Sequence, residues 1–302
     1  MEDAIRRRRR LRHLQERRRR AAIRRRNALF AAALASAVIG AIVGSGAGGG
    51  TSPVARPARL ARGGLGPPPD TGDLAPFKGP VPVLMYHVID DAPAGASYPE
   101  LFVGPRTFDR QMEALERQGY VGVSLNQVYD AWFRDGELPG KPVVISFDDG
   151  YRGQYVYARP ELRKLGWPGV LSAIAGRIGR PGAELSNAMV ERLIASGWEL
   201  DSHTINHVDV SKTRGAQLRD EVAGSRKMLQ KRFHQPVNFF CYPSGHYDGK
   251  AVREVQDAGY LGATTTNTGL ASKNEMYKLK RIRVEGSDGV SGLERKLRNA
   301  GA

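Results

Sequence analysis

Lys141 to Tyr151 reads KPVVISFDDGY, and its pattern points to the class of fold. Pro142 to Phe147 is a short apolar run rich in β-branched residues, the mark of a strand buried on both faces. Asp148-Asp149-Gly150 follows where that strand must turn, which leaves two carboxylates at a strand's end. Asp-Asp-Gly is also ordinary turn chemistry when it stands alone. A second segment has the same form: Trp198 to His207, WELDSHTINH, is a strand-like run ending in polar residues, with histidines at 203 and 207. One Asp with two His is a common ligand set for zinc or another divalent first-row metal, with a coordination position left for water.

Outward from these two segments, short apolar runs alternate with helix-like ones. Strands are predicted at Val81–His87, Val121–Ser124, Pro142–Phe147, Gly169–Ala173, Trp198–Ser202, Val237–Cys241 and Leu261–Thr265, with Arg281–Val284 as an eighth run. Helices are predicted at Thr107–Gln118, Ser186–Ser196 and Gln217–Phe233, the last with Leu218, Val222 and Leu229 on one face. Ser186-Asn187 before one helix, and Gly119 and Gly197 after others, are helix punctuation. Alternation of this kind implies parallel strands in one barrel-like or doubly wound domain, in which ligands sit at the strands' C-terminal ends. Asp148, Asp149, His203, the stretch from Tyr242 to Gly245, and His87 all follow strands, so they fall at one rim.

The formal charge of +15 suggests a nucleic-acid partner until it is located. Residues 1–26 hold 13 arginines against three acids, so +10 of the +15 lies in that tail and the remainder is mildly basic. The tail runs straight into residues 28–48, which carry no charge. About 20 apolar residues span a bilayer, and an Arg-rich flank stays on the cytoplasmic side. The expectation is a basic cytoplasmic tail (1–27), a single transmembrane helix (28–48) and a domain outside the cytoplasm, at the cell membrane. If the segment is instead a cleaved export signal, the protein is secreted. No nucleic-acid partner is expected, since a DNA-binding arm would leave the uncharged stretch unexplained. Residues 49–79 are rich in Gly, Pro, Ala and Arg and read as a flexible linker to the domain at 80–302. Cys241 is the single cysteine, so no internal disulfide forms and stability must come from the core.

The motifs SFDDG (146–150), HTINH (203–207) and FFCYPSG (239–245), in that order, resemble the polysaccharide deacetylases of the NodB-homology type, over roughly residues 80 to 290. The resemblance implies a distorted (β/α) barrel with fewer than eight complete units. It further implies a divalent metal, zinc first with cobalt or nickel possible, held by Asp149, His203 and His207, and Asp148 as the general base. In the family the third motif brings an aromatic residue and a backbone N–H donor to the substrate; here that stretch is Tyr242, Pro243, Ser244 and Gly245. The arginine that usually opens this motif and orients the base is replaced by Cys241, although a subgroup resembling extracellular poly-N-acetylglucosamine deacetylases also carries a Tyr-Pro-x-Gly form. Many members place the acid in a terminal Leu-x-His motif, but no histidine follows His246. The subgroup uses a histidine after the first strand, which makes His87 the expected acid and His246 the reserve. Asp201 is a candidate to orient a metal-binding histidine, or to face away from it. His13 and His234 have no evident role.

The expected activity is removal of N-acetyl groups from a cell-wall glycan or exopolysaccharide. O-acetyl hydrolysis on the same scaffold uses the same groups. A glycan-binding module with a structural metal is the reading from a different class, supported by the missing arginine and the missing terminal histidine. A structural site usually closes four protein ligands, and three are found here.

Overall fold

The computed structural model describes residues 73–182 and 184–302. The predicted basic tail, the apolar segment at 28–48 and most of the linker lie outside the described residues. Among those described, no helix is long and apolar enough to cross a membrane.

Seven strands form a ring: β1 (Val83–Tyr86), β2 (Pro142–Asp149), β3 (Val170–Ala173), β4 (Glu199–Ser202), β5 (Phe239–Cys241), β6 (Gly262–Thr268) and β7 (Leu279–Arg283). They neighbour one another in chain order, and β7 pairs back onto β1, which pairs onto β2. Every pairing in the ring is parallel, as Leu84 opposite Ile145 and Ile282 opposite Leu84 illustrate. The predicted barrel of about seven parallel strands is therefore present, but its membership differs. The run predicted from Val121 forms only a two-residue strand that pairs with the start of β2 outside the ring, and the predicted eighth run takes its place as β7. Apolar composition marks burial in both cases, and only closure of the ring decides which run joins it.

Alternation along the strands divides the core in two. Ile145, Phe147, Leu171, Leu200, Phe240 and Ile282 face the surrounding helices. Val83, Val144, Val170, Phe239 and Leu279 form a second cluster with Leu125, Val128 and Trp132. Helix α1 (Pro105–Arg117) precedes α2 (Leu125–Phe133). The capping box of Ser124 and Gln127 starts α2. This helix packs against the end of the barrel where the strands begin, and the motif residues lie at the opposite rim.

Helices α3 (Arg159–Lys164), α4 (Asn187–Ala195), α5 (Ser225–Phe233), α6 (Gly249–Asp257) and α7 (Gly289–Ala300) complete the shell. Ser186 caps α4, and Gly119 and Gly197 follow their helices at φ 78° and 92°, as the punctuation predicts. The helix predicted without interruption from Gln217 is entered through a short turn, Gly215–Arg219, and a wide π turn, Asp220–Gly224. Leu218, Val222 and Leu229 are buried together as expected. Glu221, in the π turn, is buried as well, and it is this acid that reaches the site.

Candidate active site

Strand β2 runs two residues further than its apolar run, so both acids lie within it. Consecutive side chains in a regular strand point to opposite faces, which would separate the two carboxylates. Asp149 escapes this by adopting φ 73°, followed by Gly150 at 87°. Of the six non-glycine residues with positive φ among those described, four are Asp149, Thr204, His207 and Ser244, all in the three motifs. Such conformations cost about 1–3 kcal/mol each and persist where the surroundings enforce them.

Asp149, His203 and His207 converge, each offering a ligand atom within 4.8 Å of the others. Both imidazole Nε2 atoms approach the same carboxylate oxygen, Asp149 Oδ1, at 3.6 and 3.5 Å. These separations are too long for hydrogen bonds, and Asp149 Oδ1 is buried with no other partner. Ligands of a tetrahedral zinc at 2.0–2.1 Å lie about 3.4 Å from one another, so the three atoms are spaced as an ion between them requires. The Nδ1 of His203 lies 2.7 Å from the Cys241 carbonyl, which can only accept, so Nδ1 carries a proton and Nε2 is the ring atom turned towards Asp149. Burial and neighbouring His203 hold the His207 imidazole below its ordinary pKa, towards the neutral form that a metal needs.

The loop between the histidines is held by Glu221. Its carboxylate accepts from the Ile205 and Asn206 backbone N–H groups at 2.9 Å each and from the Asn206 amide at 2.7 Å. Sequence reasoning missed this residue; an acid placed among Leu218, Val222 and Leu229 on the apolar side of a helix was the available signal.

Asp148 is held by a residue that sequence reasoning also missed. Arg281, fully buried on β7, donates to both its carboxylate oxygens, at 2.8 Å from Nη1 and 2.7 Å from Nη2. The Cys241 thiol lies 3.6 Å from Asp148 Oδ2 and accepts from Arg281 Nη2 at 3.3 Å. The arginine absent from position 241 is thus supplied from another strand, which removes one of the two supports for a non-catalytic module. Burial by itself raises the Asp148 carboxyl, but the charge and hydrogen bonds of Arg281 outweigh it and hold the group well below the usual carboxylate range. His87 follows β1, the strand between those of Arg281 and Asp148, with Nε2 3.9 Å from the same Oδ2. Its imidazole is lowered by burial, an effect partly offset by Asp148 and Asp149. Gln154, fully buried, donates to the carbonyls of His87 and Asp148 at 2.8 and 2.7 Å and ties the two backbones together.

The remaining expectations fare differently. The Tyr242 ring is fully buried in the outer core, and its hydroxyl donates to the Tyr277 carbonyl at 3.1 Å, so it is not an aromatic surface for substrate. Pro243, Ser244 and Gly245 form a tight turn in which the Gly245 N–H is taken by Tyr242 and the Tyr242 N–H by Thr264. That leaves the Ser244 N–H as the donor of this turn without an acceptor among the described residues. A side chain at Gly245 would collide with Thr266, its Cβ falling 1.9 Å from Oγ1. Asp201 does not reach a histidine: its Oδ1 accepts from the Phe239 N–H at 3.0 Å, and the Cys241 carbonyl does what Asp201 was expected to do. His246 is exposed and paired with Asp209 at 3.2 Å rather than with Asp148. His234 ends α5 on the surface in a left-handed conformation, and His13 lies outside the described residues.

Comparison with known proteins matches residues 135–263 to the polysaccharide deacetylase family profile. YxkH of Bacillus subtilis (strain 168) is 32% identical over 213 residues, covering 70% of this chain and 73% of that protein. The poly-β-1,6-N-acetyl-D-glucosamine N-deacetylase of Escherichia coli (strain K12) is 24% identical over 265 residues, covering 72% of this chain and 39% of that longer protein. Among solved structures, the Streptococcus pyogenes deacetylase PplD in complex with acetate superposes with a TM-score of 0.68 at 28% identity, covering 73% of this chain and 99% of that one.

Proposed function

This chain belongs to the polysaccharide deacetylase family, and we propose from that premise that it hydrolyses the N-acetyl groups of an amino-sugar polymer, a cell-wall glycan or an exopolysaccharide. The observation that carries this reading is the meeting at one rim of three groups: the Asp149, His203 and His207 cluster, the Arg281-bound Asp148, and His87. Relatives named for action on poly-N-acetylglucosamine and on peptidoglycan support an amino-sugar substrate.

Asp149, His203 and His207 would hold a divalent cation, with zinc suiting their mixed oxygen and nitrogen donors best and cobalt or nickel acceptable. Bound there, the cation supplies Lewis acidity towards the acetyl carbonyl and towards water at neutral pH. Asp148, kept ionised by Arg281, takes a proton as water adds to the acetyl carbon and the carbonyl electron pair moves onto oxygen. The Ser244 N–H is the backbone donor proposed for that oxygen. When the oxygen pair returns, the carbon–nitrogen bond breaks, and His87 gives its proton to the departing nitrogen. The products are acetate and a free amine, and the polymer becomes more cationic. We further place the domain outside the cytoplasm, tethered through residues 28–48, on the charge pattern described above.

The test is acetate release by the zinc- or cobalt-loaded full chain on N-acetylglucosamine oligomers and on peptidoglycan, beside Asp148→Asn. Release that the variant lowers by about 100-fold or more supports this reading. No release from any of these polymers by folded, metal-loaded protein overturns it for these substrates.

A further inference from the structure

A groove of about 500 Å³ lies between the two segments that continue from His87 and from Asp149, within the usual size range of ligand pockets. One wall is the chain leaving β1, from Val88 to Asp91, immediately after His87. The other is the segment from Tyr151 to Tyr157, which begins two residues after Asp149. The walls touch backbone to backbone at the groove's base: a Cβ on Gly153 would fall 2.0 Å from the Ile89 carbonyl oxygen. Gln154, between the lining residues, bonds the His87 and Asp148 carbonyls. The segment lining the groove is therefore bonded directly to the strand ends that carry His87 and Asp148.

Its lining is unusual for exposed surface. Val156 and Tyr157 are 40% and 39% exposed, two of the five large apolar side chains that are exposed among the described residues. They stand on a π turn, Gln154–Ala158, a widened helical turn of the kind that recurs at functional sites. Asp90 and Asp91 line the same groove against a single cation, Arg152, so its charge is net negative. Both carboxylates are exposed, and Asp90 uses one oxygen to accept the Asp91 backbone N–H at 2.9 Å. An amino sugar has the complementary surface: an apolar face of C–H groups for the tyrosine and valine side chains, hydroxyls for the carboxylates and, once deacetylated, an ammonium.

We propose that this groove binds the sugar next to the one being deacetylated, and that Asp90 and Asp91 favour a neighbour that already carries a free amine. The proposal rests on the deacetylase reading and adds the substrate's form: a chain of several sugars, partly deacetylated, with each cleavage aiding the next along the strand.

The test uses the zinc-loaded full chain with N-acetylglucosamine monomer, its pentamer, and a pentamer carrying one free amine. Tyr157→Ala is expected to lower the pentamer-to-monomer ratio of kcat/KM about three- to tenfold. Asp90→Asn with Asp91→Asn is expected to erase a preference of about three- to fivefold for the partly deacetylated pentamer. Titration calorimetry of the fully deacetylated pentamer gives a readout independent of turnover, and both variants should weaken its binding by similar factors. Unchanged ratios and unchanged binding overturn the proposal, as does an equal loss on monomer and pentamer. Wild-type protein that releases no acetate yet binds the pentamer through Tyr157 and the two aspartates would sink the deacetylase reading and leave the groove's assignment standing.

Discussion

Arg281 and Asp148 face each other across the barrel interior with two parallel hydrogen bonds of 2.8 and 2.7 Å, both side chains out of reach of solvent. They lie 133 residues apart in the chain, on strands separated by β1. A buried pair of this kind is poor evidence of added stability, because desolvation offsets much of the attraction, but removing one partner strands the other's charge.

Arg281→Met should therefore cost about 3–5 kcal/mol of folding stability and most of the activity. Combining it with Asp148→Asn should recover much of the stability and none of the turnover. Urea unfolding of the single and double variants measures this. Additive losses would mean that the two residues do not act as a pair.

The pH dependence should report His87. As proton donor it must be protonated, and burial holds its imidazole below the ordinary value despite the pull of Asp148 and Asp149 in the other direction. The protonated share therefore falls as pH rises through a value below the usual imidazole range, and kcat/KM should fall with it. His87→Ala should lower the rate by about 100-fold or more and abolish that limb of the profile. A limb that persists in the variant assigns the acid elsewhere.

Glu221 should control metal retention without touching the metal. Glu221→Ala frees two backbone N–H groups and the Asn206 amide in the loop that carries His207. Loss of such support typically costs 10- to 100-fold in affinity, and chelator competition for bound zinc reads it directly. Wild-type affinity in this variant would show that the left-handed backbone at Thr204 and His207 holds the loop unaided.

Glu199 and Asp201 form a buried acidic pair inside the barrel, each with one oxygen that lacks a donor. Burial raises both carboxyls, and the proximity of Glu199 raises Asp201 further. A folded-state pKa above the unfolded one means that the native state binds the extra proton. The pair's contribution is thus fullest below the ordinary carboxylate range and is lost as pH rises through the raised value. Glu199→Gln supplies its own donor for Asp201 and removes one charge, so it should gain stability relative to wild type as pH increases. Denaturation midpoints at pH 5 and pH 8 check the sign.

The sequence alone determined the parallel strand and helix alternation, the rim on which the motifs meet, and the Asp149, His203 and His207 cluster. The first two follow from local pattern: β-branched runs, punctuation, and polar residues at the strands' ends; the choice of Asp149 over Asp148 as the partner of the histidines rested on the family resemblance of the motifs. Tertiary structure decided what depends on closure of the ring. Arg281 looked like the opening residue of an apolar run, and only the pairing of β7 with β1 carries it to Asp148 and makes good the arginine missing at Cys241. Tyr242 looked like a substrate contact, but the alternation of β5 turns it outward into the core. Asp201 lies two residues from His203 in the chain, yet its hydrogen bond goes to β5, because neighbouring strands supply the partners of a barrel's interior. Spacing along a chain fixes which groups share a rim. Which of them touch is set by strand order and by the sense of each side chain, and those exist only once the barrel has closed.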